Sequence, residues 1–216
     1  MKRPLHVLVA AVCAILLLSG QGAGQGLPYS LFERYLEALR QQSGIPGISA
    51  GIFSDGRIEW ERGFGHANLD GAVPATPDTP YPVGGLTQIT SAVLLGLCSE
   101  RGALSIDDPM RQWVGDFPIP SATVRTVLAH ADGSPTSARF EYDAVRYAAL
   151  TPVAQECSDD PFRVVVADDI LNRLGMSRSV PGADLADPAN SARDLFVAAD
   201  LRRYQSVLDH LAVPYP

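Results

Sequence analysis

Lysine is almost missing from this chain. Lys2 is the only one in 216 residues. Beyond the extreme N-terminus, no amine is available as a proton acceptor. Cysteine is scarce too, with three residues, Cys13, Cys98 and Cys157. Together with His66, His130 and His210 they show no metal-ligand spacing, so neither a metal nor another cofactor is expected. No hydrophobic run is long. Leu5 to Leu18 is the longest, at about 14 residues against the ~20 that a spanning helix needs. Basic residues are few, 17 against 24 acidic, for a formal charge of −7. That balance argues against nucleic acid or an anionic membrane surface as a partner, because both demand clustered Lys and Arg. Internal repeats and low-complexity tails are missing as well.

What the N-terminus does contain reads as an export signal. Lys2 and Arg3 are basic, Leu5 to Leu18 is apolar, and Ser19 to Gly26 is small and polar. This is the order of a cleaved secretory segment. Cys13 lies inside the apolar run without a lipobox, so a lipid anchor is not expected. The expected division is 1–24 signal peptide and 25–216 partial domain, secreted or periplasmic after cleavage, with no membrane span. Without Lys2 and Arg3 the chain holds 15 basic residues against 24 acidic, about −9. Cys98 and Cys157 remain. An oxidising compartment permits their pairing, but both lie in apolar helical patterns, and two buried free thiols are the preferred reading.

Periodicity then sets out the elements. Ser30-Leu31-Phe32-Glu33 has the form of a capping box opening a helix up to Gly44. Ile48 to Phe53 and Ile58 to Phe64 read as strands joined by a Ser54-Asp55-Gly56 turn. Asn68 to Pro82 reads as an irregular loop. Leu86 to Arg101 is apolar on nearly every side, as a central helix would be, and stops at Gly102. Further helices are expected over Tyr142 to Glu156 and over Pro161 to Leu174. The second has Asp160 as N-cap and Gly175 past its end. A last amphipathic helix is expected to open at Ser191.

Within this order a series of short motifs resembles the serine β-lactamase-like family: class C β-lactamases, DD-peptidases and related esterases. Pro46-Gly47-Ile48, Asp55-Gly56 and Gly63-Phe64-Gly65 look like its opening hairpin. Thr76-Pro77-Asp78-Thr79 is similar to its lead-in to the nucleophile helix. Leu104-Ser105-Ile106-Asp107-Asp108-Pro109 resembles its LSLDDP segment, and Val127 to Gly133 its LLTHTSG segment. Leu174-Gly175-Met176 and Asp200-Leu201 match later pieces. The shared order over roughly 150 residues carries the resemblance better than any one piece does.

The departures fall on the chemistry. In the stretch Val83-Gly84-Gly85-Leu86-Thr87-Gln88, Gly85 stands where the family has its nucleophilic serine, and Gln88 where it has the lysine. Glycine offers no hydroxyl, and a neutral amide is no general base near pH 7. Tyr142-Asp143-Ala144 aligns with the family's Tyr-x-Asn, so Tyr142 matches the tyrosine base while Ala144 replaces the asparagine. A phenol ionises near neutrality only beside cations. An ordinary helix-start tyrosine with a buried ring is therefore the preferred reading of Tyr142. The family's third motif would lie on a strand beyond Pro216.

Rival motifs exist. Gly47-Ile48-Ser49-Ala50-Gly51 has the letters of a nucleophile elbow, which needs a strand before and a helix after. Here a second strand pattern follows. Ser91 is a mid-helix serine. His130 and Asp132 form a nominal pair in a loop. Asp107-Asp108 reads as a cap and turn. Gly84, Gly85 and Thr87 form a helix start of the kind that favours an anion, with an unoccupied, capped helix start as the preferred reading. The expected fold is α/β (α+β), a β-lactamase/transpeptidase-like fold that is incomplete: a β-hairpin plus a mostly helical region, with the C-terminal strands missing and an open sheet edge where a complementing chain would pair. The expected function is that of a non-catalytic relative with at most binding of a small molecule, a cell-wall-like ligand or a partner. An active hydrolase using Ser49 and a decayed or truncated gene product are the alternatives.

Overall fold

The computed structural model describes residues 26–131 and 139–215. The 1–24 segment read as a signal and the Asp132-Gly133 end of the LLTHTSG-like motif lie outside them. The described chain divides into two compact units, one up to Thr79 together with the segment from Ala212, the other from Pro80 to Leu211.

The first unit is a helix on a small antiparallel sheet. Helix α1 (Gly26–Gln42) starts ahead of the expected capping box. Ser30 therefore lies inside it and turns its hydroxyl back to the Leu27 carbonyl at 3.0 Å. One face of α1 covers Trp60, with the Phe32 ring edge-on at 5.4 Å and the Tyr29 ring stacked at 6.3 Å. Strands β1 (Gly47–Ser54) and β2 (Arg57–Asn68) form the expected hairpin. Asp55 and Gly56 both have positive φ, +49° and +78°, as the tight hairpin turn requires. The stretch expected to be irregular contains a third strand, β3 (Val73–Pro74), paired to His66 and Asn68. Its presence explains Gly63. A Cβ there would stand 2.1 Å from the Ala75 carbonyl oxygen, so the chain crosses the sheet where only glycine admits it. The Ala212 segment closes on the same strand, Val213 N–H donating to the Ala67 carbonyl at 2.9 Å.

The second unit is helical. A 3₁₀ turn (Gly84–Leu86) leads into α2 (Thr87–Glu100). Only Leu94, Leu95 and Cys98 of α2 are buried, while Ile89 is 62% and Val93 46% exposed. The helix expected to be apolar and buried all round is packed on one side. Around it lie α3 (Met110–Trp113), α4 (Val124–Leu128), α5 (Ala144–Ala148) and α6 (Leu150–Ser158). Leu95, Cys98, Met110, Val127, Leu150 and Val153 are central to the core they share. The expected single helix over Tyr142 to Glu156 is thus two, broken at Ala149, and Tyr142 precedes both. Cys98 and Cys157 are joined as a disulfide, with Cα atoms 6.1 Å apart. The free-thiol reading is corrected: sequence separation hid the fact that α2 and α6 lie side by side.

Three further expectations change. Helix α7 (Phe162–Val165) starts one residue after Pro161, without a side-chain cap from Asp160, and passes into a π-helix over Val166–Asn172. It does stop at Gly175, φ +67°. The last amphipathic segment is not one helix from Ser191. Asn190 caps a 3₁₀ turn (Ser191–Leu195), Phe196 and Val197 are extended, and α8 (Ala198–Leu208) follows. That break lets Phe196 meet Tyr204 edge-on at 5.3 Å, in a core with Leu185 and Leu208.

Candidate functional site

The site grows from the start of α2. Gly84 adopts φ +49°, and the Thr87 hydroxyl donates to its carbonyl at 2.6 Å, closing the 3₁₀ turn. Gly85 is exposed on this turn. A Cβ placed on it would meet the Tyr142 hydroxyl at 3.0 Å. Gln88, three residues on, sits on the same face of the helix. Its side-chain N–H donates to the Tyr142 hydroxyl at 3.4 Å, and its side-chain carbonyl lies 3.1 Å from His130 Nε2. So Gly85, Gln88 and Tyr142, 54 residues apart between the last two, converge.

His130 is held by the end of α4. The Thr123–Thr126 capping box starts that helix. It ends with His130 N–H donating to the Val127 carbonyl and Ala131 N–H to the Thr126 carbonyl, at 3.0 and 2.8 Å. This is a Schellman close, with His130 at φ +50° where glycine is usual. Its ring is surrounded by aromatics, with Tyr147 at 4.9 Å, Tyr142 at 4.8 Å and Phe140 at 5.8 Å. With the Gln88 carbonyl as acceptor, Nε2 carries the proton. Nδ1 is buried and has no hydrogen-bond partner among the described residues. Tyr147, its phenol pushed up in pKa by burial, donates to the Gln88 main-chain carbonyl at 2.8 Å.

Tyr142 itself is 56% exposed. It is not the buried helix-start ring expected, because Asp143 caps α5 by accepting from Arg146 N–H at 2.9 Å and leaves Tyr142 outside the helix. Ala144, the first residue of α5, is exposed and adds only a methyl group.

The rival motifs separate. Ser49 lies within β1 opposite Gly63, and its hydroxyl donates to the Thr76 carbonyl at 2.5 Å. A strand follows it, so the elbow geometry is missing. Asp107 takes a bidentate ion pair from Arg125 at 2.6 and 2.9 Å, while Asp108 accepts from Ser105 N–H. The two carboxylates turn to different partners, as a turn requires. His130 was weighed in the sequence only as a nominal pair with Asp132 in a loop and set aside, and Tyr147, which carries no local signal, was not named at all.

What gathers here is an amide, two phenols and an imidazole, with no aliphatic hydroxyl at position 85 and no amine at position 88. Among the described residues no group of His, Cys, Asp or Glu could hold a metal ion. Nor is any described helix long and apolar enough to cross a membrane.

The Beta-lactamase family pattern matches residues 32–195. This chain belongs to the Beta-lactamase family. Among relatives of this family, the chain is 30% identical over 105 residues to the human serine beta-lactamase-like protein LACTB, mitochondrial, a match over 45% of this chain and 19% of that protein. It is 26% identical over 149 residues to Protein flp of Staphylococcus aureus strain N315, over 66% of this chain and 28% of that one. The matched stretch is thus under a third of either relative. A structure of the octameric penicillin-binding protein homologue from Pyrococcus abyssi superposes with TM-score 0.62 at 25% identity, over 68% of this chain and 43% of that one. A class C beta lactamase structure superposes with TM-score 0.65 at 18% identity, over 85% and 65%, and shows the shared fold alone. The β-lactamase-like fold is therefore present in part, with a three-stranded sheet and the helical region among the described residues.

Proposed function

We propose that this chain is a β-lactamase-family protein that has lost the family's reaction and keeps at most the capacity to bind a ligand or a partner. The observation that carries this is the convergence of Gly85, Gln88 and Tyr142 around one point. The nucleophile's place has no side chain. The base's place holds an amide already committed as donor to Tyr142 and acceptor to His130. Loss of both members of a coupled nucleophile unit leaves no path to a covalent acyl intermediate. Tyr142 is then a remnant, holding Gln88 rather than taking a proton. Export through the 1–24 segment belongs to the same proposal, as does pairing of a complementing strand at the β1 edge left open in the described sheet.

The test is covalent labelling of folded protein by a fluorescent penicillin and by a fluorophosphonate. Neither should leave an adduct on intact-protein mass spectra, and a chromogenic cephalosporin should not be turned over. An adduct lost in Ser49→Ala would overturn the proposal in favour of a second nucleophile. Thermal unfolding followed by circular dichroism separates a selected domain from a decayed product. A cooperative transition is expected, and a broad one without a baseline would favour decay.

A further inference from the structure

We infer that the Cys98–Cys157 disulfide makes the helical unit a redox-conditional fold, gripping the helix that carries Gln88 so that reduction loosens the Gln88–Tyr142–His130 cluster. Helix α2 meets the α5–α6 segment through two rungs. At one end Tyr147 donates to the Gln88 carbonyl, a separation of 59 residues. At the other, Cys98 is bonded to Cys157, again 59 residues apart. The rungs are ten residues apart on both segments, about 15 Å along α2, so α2 is pinned at both ends in one register.

Side-chain packing holds α2 on one side, through Leu94, Leu95 and Cys98 near its far end, while Ile89 and Val93 face outward. The covalent rung also encloses the chain that supplies His130, Tyr142 and Tyr147. Cutting it releases the far end of α2 and lengthens the free loop of the unfolded chain. Cys98 is 2% exposed, whereas Cys157 is half-buried near the end of α6, followed by exposed Asp159 and Asp160. Attack therefore comes from the Cys157 side. A dithiol reductant's thiolate bonds to Cys157 Sγ, the disulfide breaks, and Cys98 leaves as a thiolate that takes a proton. The reductant's second thiolate then displaces Cys157, and the reductant ends as a disulfide. Such a fold suits a compartment poor in dithiols. The inference does not rest on the loss of catalysis, and its failure leaves that proposal standing.

The experiment compares the full chain before and after treatment with dithiothreitol, counting thiols in denaturant. Cys13 makes the expected counts one and three. Reduction should lower Tm by roughly 10 °C, from the closure entropy of a loop this long. It should also shift and broaden the Gln88 side-chain amide resonance, identified by its loss in Gln88→Glu. The Cys98→Ala/Cys157→Ala variant should match the reduced protein. Should that variant fail to fold, the reduced wild type still gives both readings. Three thiols in the air-oxidised protein, or an unchanged Tm after verified reduction, would overturn the inference. So would a lowered Tm with the Gln88 resonance unmoved.

Discussion

Gln88 shows how a single residue changes the logic of the site. Lysine has three donors and no acceptor, whereas an amide has both. Only the amide can accept from His130 Nε2–H while donating to Tyr142. Gln88→Lys should therefore lose the His130 contact and lower stability by about 1–2 kcal/mol in urea unfolding, while Gln88→Glu, which keeps an acceptor, should cost less. Gly85 is different. The atom that its added Cβ would meet is the far end of the Tyr142 side chain at 3.0 Å, which must give by only a few tenths of an ångström. Gly85→Ser should fold with a change under about 1 kcal/mol and still take no penicillin label, because nothing at position 88 removes its proton. A label on Gly85→Ser would show that another base operates.

Elements here are fixed by contacts that few residues can make. Gly63 is one. Gly63→Ala would drive its methyl into the Ala75 carbonyl, and a loss of at least about 1–3 kcal/mol is expected in thermal or urea unfolding. The end of α1 is another. Arg40 donates to the Ile45 and Pro46 carbonyls at 3.0 and 3.3 Å while paired with Glu37. The Arg40 hydrogen bond, reinforced by Gln41, holds the Glu37 carboxyl at about 2. A carboxyl depressed on folding adds stability that is present above its ordinary value near 4.5 and lost as pH falls through about 2. Exchange of the Ile45 N–H, bonded to the Arg40 carbonyl at 2.9 Å, should accelerate relative to its intrinsic rate across that window. Glu37→Gln should remove the dependence. Equal pH profiles in the two proteins would contradict this account.

For the molecule as a whole, the sheet edge matters most. Among the described residues strand β1 pairs with β2 alone, and its eight residues carry no charge and no proline. Such an edge lacks the features that keep strands apart. Concentration-dependent association is expected in sedimentation velocity, and Gly51→Lys, at an exposed position of β1, should reduce it. A monodisperse monomer with a high Tm would count against the open edge as an association site.

The hairpin was legible in the sequence because its signals are local: alternation in β1 and β2, and an Asp-Gly pair whose φ values the turn demands. Gly175 as a stop was legible for the same reason. The run of family motifs was also plain from residue order alone. Other features depend on what lies alongside in space. Ser30 looked like a cap only while the preceding turn of helix was unknown. The disulfide needed α2 beside α6, and the exposure of Tyr142 needed Asp143 to take the cap of α5. Residue type and short-range spacing were enough for the family and the hairpin, and for reading Gly85 and Gln88 as the places of the family's serine and lysine, a reading that belongs to the proposal. Only the tertiary structure decided that Gln88, His130, Tyr142 and Tyr147 meet, because hydrogen bonds and ring contacts between residues up to 59 positions apart exist only once the helices have packed.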